Sequence, residues 1–232
     1  MDLWEIAVVV ITGFCSGVIK TGVGIGSGVF LLPTLSLAFP AKFALGLGAP
    51  MMLASDIWGL RYYWKQWAPT GIIVRLLLAA IPGLLVGTLL LPVIPAKFFR
   101  LCVGVFGAFY AISMLWPSFP PVVLLKSFFQ SVNRKYADKR IYFYGMLGGV
   151  STVLAHAGGL VWSIYLLDEL KDKRTIVGTY VLLFCVTNIY KVIAYIYIGN
   201  YAAVQIAQIR HCAPCFPAWR KSVIRIFNGK PL

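Results

Sequence analysis

The chain has 232 residues, of which 60% are hydrophobic and only 12% are charged, and Lys and Arg outnumber Asp and Glu by 21 to 7. A soluble globular domain carries about 25% charged residues, so this composition excludes that class. The basic residues flank long apolar runs instead of forming one cluster, which argues against nucleic-acid binding and is typical of a protein in a lipid bilayer. We therefore expect an all-α, polytopic bundle of membrane helices.

The first apolar run covers residues 3–39 and is too long for one plain helix. At about 1.5 Å per residue it would extend well beyond a hydrocarbon core about 30 Å thick. The run is interrupted by glycines at alternate positions, namely Gly22, Gly24, Gly26 and Gly28. Such glycines weaken a helix and let backbone approach a neighbour or a ligand. We predict a broken helix, which is tolerated at membrane depth where it is buried in protein or lines a cavity.

The remaining apolar runs follow in chain order with short connections. They cover residues 41–60, 70–93, 97–116, 141–167 and 176–198. The 141–167 run contains His156, Gly158 and Gly159, and a second break is predicted there. Glycines four residues apart, as at Gly83 and Gly87, favour close packing between helices in lipid.

The sequence matches itself at an offset of 132 residues, without a gap. The matched pairs include Gly13 with Gly145, Gly17 with Gly149, Gly26 with Gly158, Gly46 with Gly178, Asp56 with Asn188 and Tyr63 with Tyr195. Apolar coincidences are common in membrane proteins, but glycines, a polar intramembrane residue and a tyrosine in one register indicate a duplication. The expected unit is a broken first helix, a second helix with a polar residue and two further helices. An even number of crossings makes the two copies parallel.

The predicted organisation follows from this repeat. Residues 1–116 form the first repeat with four helical elements, 117–140 a basic loop, 141–200 the first two elements of a second repeat, and 201–232 an atypical basic tail. The copy of the third helix should begin near residue 202, where the sequence soon becomes polar, so we expect a truncated second repeat. The loops on one side and the tail carry 13 basic residues against 6 on the other side. This difference predicts a cytoplasmic N-terminus, 117–140 loop and tail.

Polar residues inside the apolar runs are the candidate site, because ionisable groups are costly in a membrane. Asn188, Lys191 and Tyr195 share one helix face. The lysine can hold an anion, the asparagine can donate a hydrogen bond, and the tyrosine can close one side of a cavity. Two alternatives stay open, in which Lys191 pairs with another buried group such as Asp56, as a structural ion pair, or extends outward to the membrane surface.

The two breaks can add further contacts to an anionic substrate. The Gly22–Gly28 string can present N–H groups together with the N-terminus of the half-helix that follows. The second break carries Gly158, Gly159 and His156. This histidine can relay a proton, with Asp56 as a second candidate for proton coupling, although a histidine that only hydrogen-bonds between helices is the more common case.

Other chemistry has little support in the sequence. Cys212 and Cys215 have the two-residue gap of redox motifs but stand without a second pair for a zinc site. No set of serine, histidine and acid typical of hydrolases is present. We therefore expect no enzyme activity, no catalytic residue, no metal and no cofactor, with the lipid bilayer and a small anion as partners and no nucleic acid.

Three motifs carry a resemblance to a known family. They are Gly13-x3-Gly17, the string TGVGIGSGVFLLP at residues 21–33, and Asn188-x2-Lys191-x3-Tyr195. Together they resemble the TauE/SafE sulfite exporter family of bacterial membrane permeases, over about residues 5–200. Ser27 departs from the family pattern, which typically has a third consecutive glycine there.

The resemblance implies a secondary transporter of two four-helix repeats. Such a protein would move small anions, such as sulfite, sulfonates or organosulfur acids, across the bacterial inner membrane. The alternatives are a membrane redox protein that uses the Cys212/Cys215 pair, or an inactive remnant or accessory subunit.

Overall fold

The computed structural model of the chain describes residues 3–22, 27–116, 127 and 139–198, and every regular element of this part is α-helical. The helices are, in chain order, α1 (Leu3–Gly22), α2 (Ser27–Leu35), α3 (Ala41–Tyr62), α4 (Thr70–Val93), α5 (Ala96–Leu115), α6 (Arg140–Ala155), α7 (Gly158–Glu169) and α8 (Lys173–Tyr197). The predicted all-α fold is confirmed. The tail with Cys212 and Cys215, and the 117–140 loop apart from residues 127, 139 and 140, lie outside the described residues.

The bundle contains helices that can cross a membrane. Within the described part of the chain, α1, α3, α4 and α8 are long and apolar enough to do so. Their outer surfaces expose large apolar side chains such as Leu78, Leu89 and Ile193. A surface of this kind is matched to lipid tails and not to water. The chain is therefore an integral membrane protein.

The bounds of the helices reproduce the predicted repeat. Helix α3 begins at Ala41 and α8 begins 132 residues later at Lys173. The broken pair of α1 and α2 corresponds in the same way to α6 and α7. Helices α3 and α8, which are equivalent in the two repeats, pack against each other. The segments that match at this offset are thus in contact through the helices that carry the predicted polar residues.

Both short half-helices are enclosed by protein. In α2, Leu31 and Leu32 are each 1% exposed and Leu35 is fully buried, and in α7 Trp162 and Leu166 are fully buried. A nine-residue helix such as α2 is too short to span the hydrocarbon core. Burial within the bundle satisfies the condition under which broken helices are tolerated at membrane depth.

Glycines bring α4 and α6 into backbone contact, as the four-residue spacing predicts. A Cβ atom on Gly83 would overlap the carbonyl oxygen of Met146, and one on Gly149 would overlap a carbonyl of α4. The α4 residue Gly87 likewise has Val153 of α6 at 2.9 Å from the position of a Cβ. Such close approach increases van der Waals contact, which is the main source of helix association in lipid. It fixes the second broken helix against the first repeat.

Candidate functional site

The two helix breaks meet inside the bundle. Gly28 lies in the first turn of α2, and a Cβ atom at this position would overlap the carbonyl oxygen of His156. His156 follows the last residue of α6 and has a left-handed backbone with φ 52°. Its N–H donates to the Thr152 carbonyl at 3.2 Å, which ends the helix. This turn leads the chain into α7 and places the imidazole between α3 and α8.

A narrow cavity lies at this junction. It has room for about one water molecule. Its polar lining side chains are those of Lys20, Ser27, Thr152, His156, Asn188 and Lys191. Gly28 and Gly159, at the starts of the two half-helices, contribute backbone to its wall. The cavity therefore joins both breaks to the polar face of α8.

One group of cavity side chains is electrically neutral. The Nζ atom of Lys20 lies 2.6 Å from Oδ1 of Asp56, and the amide of Asn188 donates to Oδ2 of the same carboxylate at 2.6 Å. Lys20 also donates to the carbonyl of Met52 at 3.3 Å. Lys20 is 2% exposed and Asp56 is fully buried. Asp56 and Asn188 are equivalent positions of the repeat, so this hydrogen bond joins the two copies at matching residues.

The second group is built around Lys191, which is 1% exposed. Its Nζ atom lies 2.7 Å from Nδ1 of His156 and donates to the carbonyl and the hydroxyl oxygen of Thr152, each at 3.3 Å. Among the described residues, the buried salt bridge joins Asp56 to Lys20 and none joins Asp56 to Lys191. The side chain is therefore not paired with Asp56 and does not extend to the membrane surface, and the buried group that it contacts is His156.

Asn188 and Tyr195, the other two candidates on this face of α8, have different surroundings. Asn188 lines the cavity, whereas the hydroxyl of Tyr195 donates to the carbonyl of Val153 at 2.5 Å. Tyr195 thus ties α8 to the last turn of α6 and is not among the described residues that line the cavity. Its structural effect is to hold the helix that carries Lys191 next to the second break.

The candidate glycines also differ in whether they line the cavity. Gly28 and Gly159 line the cavity, and Gly158 packs against Thr152, where a Cβ would lie 2.7 Å from that side chain. Gly22 ends α1. Gly24 and Gly26 lie outside the described residues. The part of the glycine string that the structure describes therefore meets the site at its C-terminal end.

Sequence reasoning missed three polar members of the site, Lys20, Ser27 and Thr152. Lys20 lies within the first apolar run, before its predicted break, and no motif in the sequence assigns it a role. The signal was present, because an intramembrane lysine immediately before a helix break is costly unless it has a buried partner. Lys20 and Thr152 are also 132 positions apart, so they occupy equivalent places in the two repeats.

Metal binding has no support in the part of the chain that the structure describes, where no group of three or more His, Cys, Asp or Glu residues could hold an ion. The fold and the cavity define a class of protein, the polytopic membrane protein with an internal repeat and a polar site between broken helices. This is the architecture of many secondary transporters.

A comparison with known families makes the assignment more specific. The sequence model of the family described as sulfite exporter TauE/SafE matches residues 9–215. The chain belongs to this family, which confirms the resemblance carried by its motifs. Neither curated proteins nor solved structures gave a significant match.

Proposed function

We propose that the chain is a secondary permease for small anions such as sulfite, sulfonates or organosulfur acids, and that Lys191 is the main contact of the anion. The observation that carries this proposal is the burial of Lys191 in a cavity between the two breaks, without a carboxylate partner among the described residues. A buried ammonium that lacks a counter-charge costs several kcal/mol. A bound anion supplies that counter-charge.

The backbone around the cavity favours the same ligand. Helices α2 and α7 both begin at the cavity, through Gly28 and Gly159. The N-terminus of a helix carries a partial positive charge and N–H groups that lack partners within the helix. Two such ends, the ammonium of Lys191 and the Lys20–Asp56 ion pair surround a single small space, which is a suitable environment for an oxyanion and an unfavourable one for a cation.

The size of the cavity requires a moving part in the transport cycle. A space for about one water molecule is too small for an anion with three or four oxygen atoms. The walls must separate to admit the anion from one side and then from the other, as in alternating access between two repeats. The contact between Gly28 and His156 lies where the two broken helices would part.

The proposal places the protein in the bacterial inner membrane, with its N-terminus and the 117–140 loop in the cytoplasm. The excess of 13 basic residues over 6 supports this orientation. The proposal assigns no catalytic step and no cofactor to the chain.

Sulfite flux into liposomes that contain the purified protein tests the proposal. Lys191→Met keeps the volume of the side chain and removes its charge, and it should reduce flux at least about tenfold because the anion loses its ionic partner. Lys171→Met is the matched control, since Lys171 is exposed in the connection between α7 and α8 and should not affect flux.

The thermal midpoint of each variant in detergent shows whether the protein is still folded. A folded Lys191→Met protein with the sulfite flux of the unmodified chain would contradict the proposal.

A further inference from the structure

The hydrogen bonds of His156 define which of its ring nitrogens carries a hydrogen. Its Nε2 atom lies 3.0 Å from the carbonyl oxygen of Leu45. A carbonyl oxygen only accepts hydrogen bonds, so Nε2 must donate. Its Nδ1 atom lies 2.7 Å from Nζ of Lys191. With Lys191 as an ammonium, which only donates, Nδ1 accepts and the imidazole is neutral.

The surroundings of Lys191 fit the charged form of this side chain. Its Nζ atom has three acceptors within reach, namely Nδ1 of His156 and the carbonyl and hydroxyl oxygens of Thr152. An ammonium has three N–H donors, one for each of these acceptors. No hydrogen-bond partner of Lys191 in the described part of the chain carries a negative charge.

The charges around His156 sum to one positive charge. The described ionisable groups that line the cavity with it are Lys20 from α1 and Lys191 from α8, and Asp56 of α3 lies behind them, bonded to Lys20. Helix α2 contributes the backbone of Gly28 and the hydroxyl of Ser27. Lys20 and Asp56 neutralise each other at 2.6 Å. The excess positive charge therefore belongs to Lys191, and the neighbouring His156 has one ring nitrogen, Nδ1, that carries no proton.

We infer that the cavity accepts one net negative charge, so that a doubly charged oxyanion binds only together with one proton, which Nδ1 of His156 receives. This inference rests on the proposed function, because it specifies the charge of the anion that Lys191 would hold. A monoanion neutralises Lys191 directly and leaves the imidazole neutral. A dianion would leave one uncompensated negative charge in a buried site, and protonation of His156 removes it.

The proton step requires a small local rearrangement. When Lys191 turns its ammonium from His156 to the anion, the lone pair of Nδ1 becomes free. Nδ1 then takes a proton from bulk water, while the Nε2–H group keeps its bond to the carbonyl of Leu45. The resulting imidazolium carries a second N–H group that can donate to an oxygen of the dianion. Charge and protons balance, since one dianion and one proton enter together.

Calorimetric titration of the full chain in detergent at pH 7 tests the inference, with sulfate as the dianion and methanesulfonate as the monoanion. Measurements in two buffers that differ in ionisation enthalpy give the number of protons taken up with each anion. We expect about one proton per sulfate and about none per methanesulfonate. His156→Asn is the matched variant, because asparagine tolerates a left-handed backbone and offers an acceptor to Lys191 but no titratable group.

In the His156→Asn protein, the affinity for sulfate should fall at least about tenfold more than the affinity for methanesulfonate, and sulfate should bind without proton uptake. Sulfate binding without proton uptake in the unmodified chain, or binding of methanesulfonate alone, would overturn the inference and leave the permease proposal in place. Failure of sulfate, methanesulfonate and sulfite to bind at all would overturn both.

Discussion

The two repeats follow one backbone plan but contribute different charges to the site. At equivalent positions, the first repeat has Lys20, Asp56 and Gly59 where the second has Thr152, Asn188 and Lys191. The first repeat therefore supplies a complete ion pair, and the second supplies an ammonium whose described partners are neutral. The two segments that match at the 132-residue offset thus share their backbone plan around the cavity and differ in its charged side chains.

The ends of the two broken helices differ as well. In the second repeat, Arg140 at the start of α6 bonds to Asp168 and to Glu169 at the end of α7, and its guanidinium lies 5.3 Å from the ring centre of Tyr165. The equivalent positions of the first repeat are Val8, Ser36 and Leu37. Because none of these three residues is charged, the contact of Arg140 has no equivalent at the same positions of the first repeat.

Asp56→Asn makes position 56 identical to its equivalent, Asn188, and should have the largest effect. The change leaves Lys20 buried without its counter-charge, which should lower the free energy of unfolding by about 3–5 kcal/mol. Unfolding in detergent with increasing denaturant measures the loss. The double variant Lys20→Met, Asp56→Asn removes both charges and should recover most of it. An Asp56→Asn protein as stable as the unmodified chain would show that Lys20 does not depend on this carboxylate.

Gly83→Ala tests the contact between the first repeat and the second broken helix. The new methyl group would meet the carbonyl of Met146, and overpacking at such a site costs about 1–3 kcal/mol of unfolding free energy. Gly104→Ala on α5 is the matched control, because nothing lies within 4 Å of a Cβ atom there. Equal unfolding free energies of the two variants would contradict the close packing of α4 on α6.

Loss of the Asp172 cap is expected to have the smallest effect on stability. The cap is a difference between the equivalent helices α8 and α3. Its carboxylate caps α8, whereas the N-cap residue of α3, Pro40, offers no side-chain hydrogen bond. Hydrogen bonds from the hydroxyl and the N–H of Thr175, at 2.7 and 2.8 Å, lower the pKa of Asp172 from its ordinary value of 3.8. The cap therefore stabilises the folded protein fully above pH 3.8, the ordinary pKa of the carboxyl group. This stabilisation is lost as the pH falls through the lower pKa that Asp172 has in the folded protein.

Comparison of the unfolding free energy at neutral and acidic pH measures this contribution. Asp172→Asn keeps an acceptor for the cap but does not titrate, so it should lose slightly less stability than the unmodified chain on acidification. Identical pH dependence in the two proteins would show that the cap does not contribute.

Much of the fold could be predicted because it depends on local pattern. The excess length of the first apolar run and its glycines predicted the first break, and the offset of 132 residues predicted that α8 would begin as α3 does. The same offset aligned Asp56 with Asn188, although their hydrogen bond required the packing of α3 on α8. Periodicity within α8 grouped Asn188 with Lys191 correctly.

The pairing of charges could not be predicted, because it depends on how helices are rotated against one another. Lys191 and Lys20 were both possible partners of Asp56, and the orientation of α1 decides between them. The contact of Lys191 with His156 depends on a left-handed turn at a residue other than glycine, which no local pattern in this sequence indicates.

The most direct test of the central claim is to locate a bound anion. Selenite is a heavier relative of sulfite, and its anomalous X-ray scattering would identify its position in crystals of the protein. The account predicts a peak in the cavity between Gly28 and Gly159, with an oxygen within hydrogen-bonding distance of Nζ of Lys191 and that atom displaced from His156. A peak only outside the cavity, with Lys191 still bonded to His156, would contradict it.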